Sequence, residues 1–265
     1  MRYFIALVTA FFLSAAAVAA PARVQGNGAN IGATGATSFG VTLTATVTSG
    51  DTIVGAVSYE SSATLTSVTD DKGNTYNLET AVTDTGNGQT TTGFSLSNIT
   101  NAPQTLTAAF NKNTFSISIV GDEFSGIATA SSDQRDSTAH GGQAQSSPGT
   151  ATNGVTSGSF TTATNGDLLY AVTANDTGDD TGTLAAGTTT SATYALTGTS
   201  SGTSSNNCAM IKSAWGTQST AGASTAGTFT QSVNAARVTF LIAVKAGGSP
   251  SPGGVTRRSL TGAGQ

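Results

Sequence analysis

Residues 39–47 read Phe-Gly-Val-Thr-Leu-Thr-Ala-Thr-Val, so that every second side chain is apolar. Residues 115–121, Phe-Ser-Ile-Ser-Ile-Val-Gly, continue the same alternation. A period of two is typical of a β-strand that turns one face to a core and the other to solvent. These stretches predict an antiparallel sheet protein.

Working outward along the chain, short strand-like runs alternate with turns rich in Gly, Asn and Asp. The clearest runs are 39–47, 53–59, 65–69, 94–99, 106–110, 115–124, 168–174, 194–197, 209–215 and 238–244. After residue 20 no stretch carries an apolar stripe at helical spacing. The sequence therefore predicts an all-β fold, an antiparallel β-sandwich of jelly-roll-like type.

A faint internal duplication divides the chain. Residues 48–57, Thr-Ser-Gly-Asp-Thr-Ile-Val-Gly-Ala-Val, align with residues 164–172, Thr-Asn-Gly-Asp-Leu-Leu-Tyr-Ala-Val. The alignment predicts pseudo-repeats over about 22–126 and 155–246, joined by a linker at 127–154. The halves form either two separate sandwiches or one domain, 21–246, with interleaved strands. Interleaving is favoured because each half has few aromatic residues and small domains bury proportionally less surface.

The two ends of the chain differ from the rest. Arg2, the apolar residues 3–13 and the small residues up to Ala20 resemble a secretory signal peptide, 1–20, with a cleavage motif at 17–19. An uncleaved membrane anchor is the alternative. We expect an exported protein, extracellular or at the cell surface, whose mature chain does not span a membrane. Residues 247–265 form a flexible Gly/Ser/Pro tail, in which Arg257 and Arg258 are candidates for docking on an acidic partner.

Composition excludes several classes of function. The chain has one His, one Cys, one Trp and a formal net charge of −4. A disulfide framework or a zinc site of clustered Cys and His is therefore not available, and a nucleic-acid partner is not expected. Any Ser-His-Asp arrangement would need His140, which lies in the predicted linker without a Gly-x-Ser-x-Gly motif. We expect no enzymatic activity and no organic cofactor.

Acidic residues are the remaining candidates for chemistry. A loop holding Asp176, Asp179 and Asp180 could bind a structural Ca²⁺, and a plain acidic hairpin loop is the alternative. Asp122 and Glu123 are neighbours on a predicted strand, so their side chains point to opposite faces and cannot act as one pair. Glu123 is interpreted as a strand-end contact or as a ligand-facing acid.

Four segments carry a family resemblance. They are Asp-Thr-Ile-Val at 51–54, Ser-Val-Thr-Asp-Asp-Lys-Gly-Asn-Thr-Tyr at 67–76, Glu-Phe-Ser-Gly at 123–126 and Asn-Gly-Asp-Leu-Leu at 165–169. Their order resembles that in an uncharacterised group of Thr/Ser/Gly-rich exported bacterial and phage-associated proteins. The resemblance implies a jelly-roll or immunoglobulin-like sandwich over residues 22–246 and an extracellular or virion-surface setting. It carries over no catalytic residue.

These observations favour a secreted, non-enzymatic protein that acts by surface contact, as an adhesin, a surface-layer component or an appendage subunit. Its partners would be further copies of itself, a cell surface or a polysaccharide. A carbohydrate-binding module and a phage surface or fibre protein are the alternatives. The candidate stacking residues for a ligand are Tyr59, Tyr76, Tyr170, Tyr194 and Trp215.

Overall fold

The computed structural model describes residues 19–32, 34–84, 88–145, 159–175, 195–200, 210–225 and 237–247. These residues contain strands and turns but no helix, which confirms the predicted all-β class. The strands are β1 (Ala22–Ile31), β2 (Ala36–Thr42), β3 (Thr52–Glu60), β4 (Leu65–Asp70), β5 (Asn77–Leu78), β6 (Val82–Asp84), β7 (Gln89–Leu96), β8 (Thr105–Thr114), β9 (Ile117–Ser125), β10 (Arg135–Gln145), β11 (Ser159–Thr162), β12 (Asp167–Asn175), β13 (Ala195–Ser200), β14 (Met210–Gln218), β15 (Gly222–Thr225) and β16 (Arg237–Val244).

The strands form four sheets. A six-stranded sheet, here the first large sheet, has the order β1-β9-β3-β7-β5, with β6 also paired to β7. A five-stranded sheet, the second large sheet, has the order β10-β16-β12-β14-β13. A three-stranded sheet, β2-β8-β4, and a two-stranded sheet, β11-β15, complete the described part. All strand pairs are antiparallel, as expected of a β-sandwich.

Strand order makes each half of the chain a jelly roll. In the first half β1-β9-β3-β7 and β2-β8-β4 divide consecutive strands between two facing sheets, which is the jelly-roll arrangement. In the second half β10-β16-β12-β14 and β11-β15 repeat that order. The aligned segments at 48–57 and 164–172 lead into β3 and β12, which occupy equivalent central positions. The topology therefore repeats as the sequence duplication does.

Two details of the predicted organisation differ from the structure. Strand β10 lies inside the segment 127–154, which the sequence analysis treats as a linker, so the second half begins earlier than residue 155. The strand has few apolar side chains because it is an edge strand held by backbone pairing to β16. In addition, each described sheet takes its strands from one half, so the halves do not interleave.

The halves instead meet face to face and share a core. The first core lies between the first large sheet and the three-stranded sheet, and includes Ile53 and Val57. The second core lies between the two large sheets, and includes Val54 and Tyr170. Strand β3 alternates its side chains between these two cores, and its residues 52–59 are all buried. The first large sheet is thus the middle layer, and sharing its second face enlarges the buried area of both halves.

Strand β2 ends at Thr42, earlier than residue 47 where the alternation predicts its end. The alternation still describes burial, because Leu43 and Val47 are both 2% exposed. Their amide nitrogens donate to the carbonyl oxygens of Gln104 and Pro103, at 2.8 Å each. The backbone beyond β2 therefore lies beside residues 103 and 104, just before β8, without regular strand pairing.

The described part of the chain holds no helix with the length and apolar character needed to cross a membrane. Residues 1–18 and 248–265, which hold most of the predicted signal peptide and of the predicted tail, lie outside the described residues.

Candidate functional site

The tyrosines predicted as stacking surfaces are core residues. Tyr59, Tyr76 and Tyr170 are 2%, 3% and 0% exposed, so none can present a ring to a ligand. The interpretation fails because a tyrosine on an alternating strand fits a core as well as a surface when its hydroxyl finds a partner. Trp215 is partly buried in the second core, where its ring centroid lies 5.8 Å from that of Phe124.

Other predicted site residues cannot be placed. Tyr194, Asp176, Asp179, Asp180, Arg257 and Arg258 lie outside the described residues. His140 belongs to β10 and pairs with Ile242 of β16, so it lies in a strand and not in the predicted linker loop. Within the described ranges no group of three or more His, Cys, Asp and Glu residues could hold a metal ion.

Asp122 is the centre of a polar cluster between the two large sheets. It is 0% exposed, and its Oδ1 accepts a hydrogen bond from Arg23 Nε at 2.8 Å. Its Oδ2 accepts hydrogen bonds from the hydroxyls of Tyr170, at 2.6 Å, and Ser213, at 2.9 Å. Burial, together with the nearby Asp122 carboxyl group, raises the pKa of Tyr170 well above its usual value, which keeps its hydroxyl a donor. Since Tyr170 and Ser213 belong to the second half, this cluster joins the two halves.

Glu123 points the other way, as the strand geometry predicts. It is also 0% exposed, and its Oε1 accepts a hydrogen bond from the backbone nitrogen of Thr48 at 2.7 Å. Its Oε2 accepts one from Gln25 Nε2 at 2.5 Å. Asp51 lies beside it: burial, and next its hydrogen bond and charge interaction with Glu123, raise the pKa of Asp51 from 3.8 to about 6. Both carboxyl oxygens of Glu123 are bound inside the protein, so the strand-end interpretation of Glu123 is confirmed.

Gln25 ties this first acid pair to the backbone after β2. Its Oε1 accepts hydrogen bonds from the Thr44 hydroxyl, at 2.8 Å, and the Ala45 nitrogen, at 2.7 Å. Its Nε2 also donates to the Ala45 carbonyl oxygen at 3.0 Å. The Gln25 side-chain amide thus supplies hydrogen-bond partners that a neighbouring strand would otherwise give to the backbone beyond Thr42.

A second acid pair lies in the second half, with Asp167 at the position equivalent to Asp51. Asp136 and Asp167 are both 0% exposed. Burial, followed by a hydrogen bond and charge interaction with Asp136, raises the pKa of Asp167 from 3.8 to about 8. Sequence reasoning missed both pairs. The recurrence of Gly-Asp before two central strands could have revealed them, since Gly50 and Gly166 take positive φ angles of 93° and 84° and start β3 and β12 alike.

The acidic turn after β4 is a local hydrogen-bonding element. Asp70 Oδ1 accepts the backbone nitrogens of Lys72 and Asn74, at 3.0 Å each, and its Oδ2 accepts the Tyr76 hydroxyl at 3.1 Å. The backbone nitrogens of Gln104 and Thr105 lower the pKa of Asp71 to about 2. The Asp70 carboxyl group stabilises the turn, and the Asp71 carboxyl group binds the turn to the start of β8.

The outward face of the three-stranded sheet is neutral and lined by small polar side chains. Its segments 38–42, 67–69 and 105–109 contain no charged residue. Thr42 lies opposite Thr105, and their hydroxyl oxygens are 3.2 Å apart. Thr107 is the middle of a row that runs from Gly40 of β2 to Thr69 of β4. We call these outward residues, Ser38, Gly40, Thr42, Ser67, Thr69, Thr105, Thr107 and Ala109, the hydroxyl face.

Comparison of this chain with protein-family models, with curated proteins and with solved structures gave no match. Among the described residues, the carboxyl groups of Asp122, Glu123 and Asp136 are fully buried and bound by protein donors, whereas Asp51 is partly exposed. The arrangement stabilises strand ends and the contact between halves, and the hydroxyl face offers neutral hydrogen bonds to solvent or to a partner.

Proposed function

We propose that the protein is an exported, non-enzymatic surface-contact protein, an adhesin or a subunit of an extracellular layer or appendage. The observation that carries the proposal is the hydroxyl face. It presents Thr and Ser hydroxyls in rows across three paired strands, with neighbouring strands about 4.8 Å apart. Export rests on the signal peptide predicted at residues 1–20.

Neutral hydroxyl contacts suit a protein that works outside the cell. Hydrogen bonds between uncharged groups do not weaken through ionic screening, whereas exposed ion pairs lose most of their interaction at high salt. Charged residues make up 9% of the chain, so a contact surface without ion pairs agrees with the composition as a whole. The partner would be a surface that offers its own hydroxyl or amide groups, such as a second copy of the protein or a polysaccharide layer.

The buried positions of the acidic groups also support a contact role. The candidate acids Asp122 and Glu123 face two different cores, and both are 0% exposed. A substrate could not reach either of them in the folded protein. Asp122 and Glu123 thus serve the fold, and the exposed residues of the hydroxyl face supply shape and hydrogen bonding.

The test places a charge on the hydroxyl face. Thr107→Lys puts an ammonium group at its centre, and Thr80→Lys puts the same charge on an exposed loop between β5 and β6. Self-association would be measured by sedimentation, and adherence by retention on immobilised cells and insoluble polysaccharides. We expect the wild type and Thr80→Lys to associate or adhere, and Thr107→Lys to do so at least about tenfold more weakly, because a buried unpaired charge is costly. A wild type that neither associates nor adheres would refute the proposal.

A phage surface subunit is a second candidate, favoured by the tandem jelly rolls. Jelly rolls are common in viral capsid proteins, although a fold does not determine a function. This candidate expects regular closed or fibrous oligomers under electron microscopy. An adhesin would give surface retention without such regular particles, so the two outcomes separate the candidates.

A further inference from the structure

The two acid pairs found among the described residues differ in what surrounds them. The first pair, Asp51 and Glu123, receives donors: Gln25 Nε2 and the Thr48 nitrogen both reach Glu123 within 2.7 Å. In the second pair, Asp136 Oδ2 accepts the Ala163 nitrogen at 2.6 Å, but Asp167 Oδ1 has a long contact of 3.4 Å with the Ala246 nitrogen. Asp167 Oδ2 is buried and receives no N–H or hydroxyl donor, and Asp167 hydrogen-bonds instead to the other acid of the pair, Asp136.

The residue opposite Asp167 adds an acceptor to this pair. Gln218 lies directly across from Asp167 in the β12–β14 register, so both side chains leave the same face of the sheet. Gln218 is 0% exposed, and its Oε1 is also buried without a hydrogen-bond partner. Its amide orientation is set by Nε2, which donates to the Gly222 carbonyl oxygen at 3.2 Å. Gln218 Oε1 is therefore the amide atom that has no hydrogen-bond partner.

A chain of contacts encloses the three side chains. The Gly222 nitrogen donates to Thr162 Oγ1 at 3.2 Å, and the next residue, Ala163, donates to Asp136 at 2.6 Å. Asp136 in turn interacts with Asp167, and Asp167 lies opposite Gln218. Gln218 Nε2 donates to the carbonyl oxygen of Gly222, so the series of contacts returns to the residue where it began. The positive charge of Lys245 acts on Asp167, but no donor reaches its Oδ2. Two buried carboxyl groups and a buried amide thus lie beside one another, with Asp136 bonded to Asp167 and Gln218 directly across the sheet from Asp167.

We propose that Asp136, Asp167 and Gln218 bind a hard divalent cation, Ca²⁺. Carboxylate and amide oxygens are the ligands that Ca²⁺ takes in proteins, and two carboxylates neutralise its charge. A cation would satisfy Gln218 Oε1, which has no hydrogen-bond partner, and would replace the direct contact between Asp167 and Asp136. The proposal does not depend on the surface-contact function, because the site lies inside the second jelly roll.

The site is separate from the calcium loop that the sequence predicts at residues 176–180. Asp167 begins β12 and Asn175, the last described residue before that loop, ends it, so Asp167 and Asn175 lie roughly 25 Å apart. Variants at each end can therefore assign any binding that is observed.

The experiment is calorimetric titration of the chelator-treated full chain with CaCl₂, with melting temperature as a second readout. We expect the wild type to bind one Ca²⁺ and to melt about 5 °C higher at roughly a hundredfold excess over Kd. Asp167→Asn and Asp136→Asn should abolish both effects, because each removes a charged ligand and keeps the side-chain shape. Gln218→Leu should weaken binding by about tenfold or more.

Two matched controls make the test specific. Asp51→Asn changes the equivalent acid of the first half, and Asp176→Asn/Asp179→Asn/Asp180→Asn changes the predicted loop; both should bind Ca²⁺ as the wild type does. The proposal is overturned if the wild type shows neither heat nor a melting shift, if Asp167→Asn still binds, or if the loop variant alone loses binding. Should one Asp variant fail to fold, the other and Gln218→Leu decide the matter.

Discussion

Replacing Tyr170 by Phe removes one hydroxyl group from the core that joins the two halves. The ring stays in place against Phe124, whose centroid lies 5.9 Å away, so the apolar burial is unchanged. What is lost is the 2.6 Å hydrogen bond to Asp122 Oδ2. A hydrogen bond to a charged group contributes about 1.5–3 kcal/mol, and Asp122 keeps Ser213 and Arg23 as donors. We therefore expect the free energy of unfolding to fall by about 2 kcal/mol.

A second substitution tests whether the cluster acts as a unit. Ser213→Ala alone removes the 2.9 Å hydrogen bond to the same oxygen, and should cost about 1.5 kcal/mol. In the double variant Asp122 Oδ2 loses both hydroxyl donors while it remains buried. The combined loss should exceed the sum of the single losses by about 1 kcal/mol or more, because a buried carboxyl oxygen is then left without a partner.

The assay is equilibrium unfolding in urea, followed by the fluorescence of Trp215, which is the single tryptophan of the chain and packs in the shared core. The control is Tyr59→Phe, which removes a neutral contact of 3.1 Å to Thr92 inside the first core and should cost about 1 kcal/mol or less. A Tyr170→Phe loss no larger than that of the control, or strict additivity in the double variant, would refute the reasoning.

Three further outcomes are expected. Because the pKa of Asp51 is raised to about 6, its contribution to stability is full below about pH 4 and is lost as the pH rises through 6. Asp51→Asn should remove about 1 kcal/mol of this pH dependence, measured by urea unfolding at several pH values. This value is reduced because Asp51 is partly exposed to solvent. Gly55→Ala should lower the free energy of unfolding by about 3 kcal/mol in the same assay, because the new Cβ would lie 2.2 Å from the Val120 carbonyl oxygen. Gly73→Ala should lower it by about 1 kcal/mol, because Gly73 has open space around it but a φ of 84°. Asp70→Ala should lower the melting temperature by several degrees, because its carboxyl group holds the turn after β4 through both oxygens; an unchanged melting curve would contradict that role.

Strand positions could be predicted because alternation and turn residues are local signals. Each predicted run that lies in the described residues overlaps an observed strand. Of the strands without a predicted run, β1 and β10 are edge strands of the two large sheets. Edge strands are held by backbone hydrogen bonds on one side, so their sequences need fewer apolar residues and give a weaker pattern.

The candidate site was harder to predict, for a reason that Tyr170 and Asp122 illustrate. Their side chains are bonded although 48 positions separate them in the chain. Only the stacking of one large sheet on the other brings them together. A tyrosine and an aspartate in strands of different halves carry no local sign of that contact, and so Tyr170 was interpreted as a surface residue.

What the sequence determined alone is the all-β class, the positions of most strands and the duplication that places Asp51 and Asp167 before equivalent strands. These follow from residue spacing and from turn chemistry, which act over a few neighbouring residues. The tertiary structure decided that the first large sheet is covered on both faces, that the tyrosines are buried and that two acid pairs have opposite surroundings. Each of these depends on which faces meet, and that choice is made by burial of apolar surface between residues far apart in the chain.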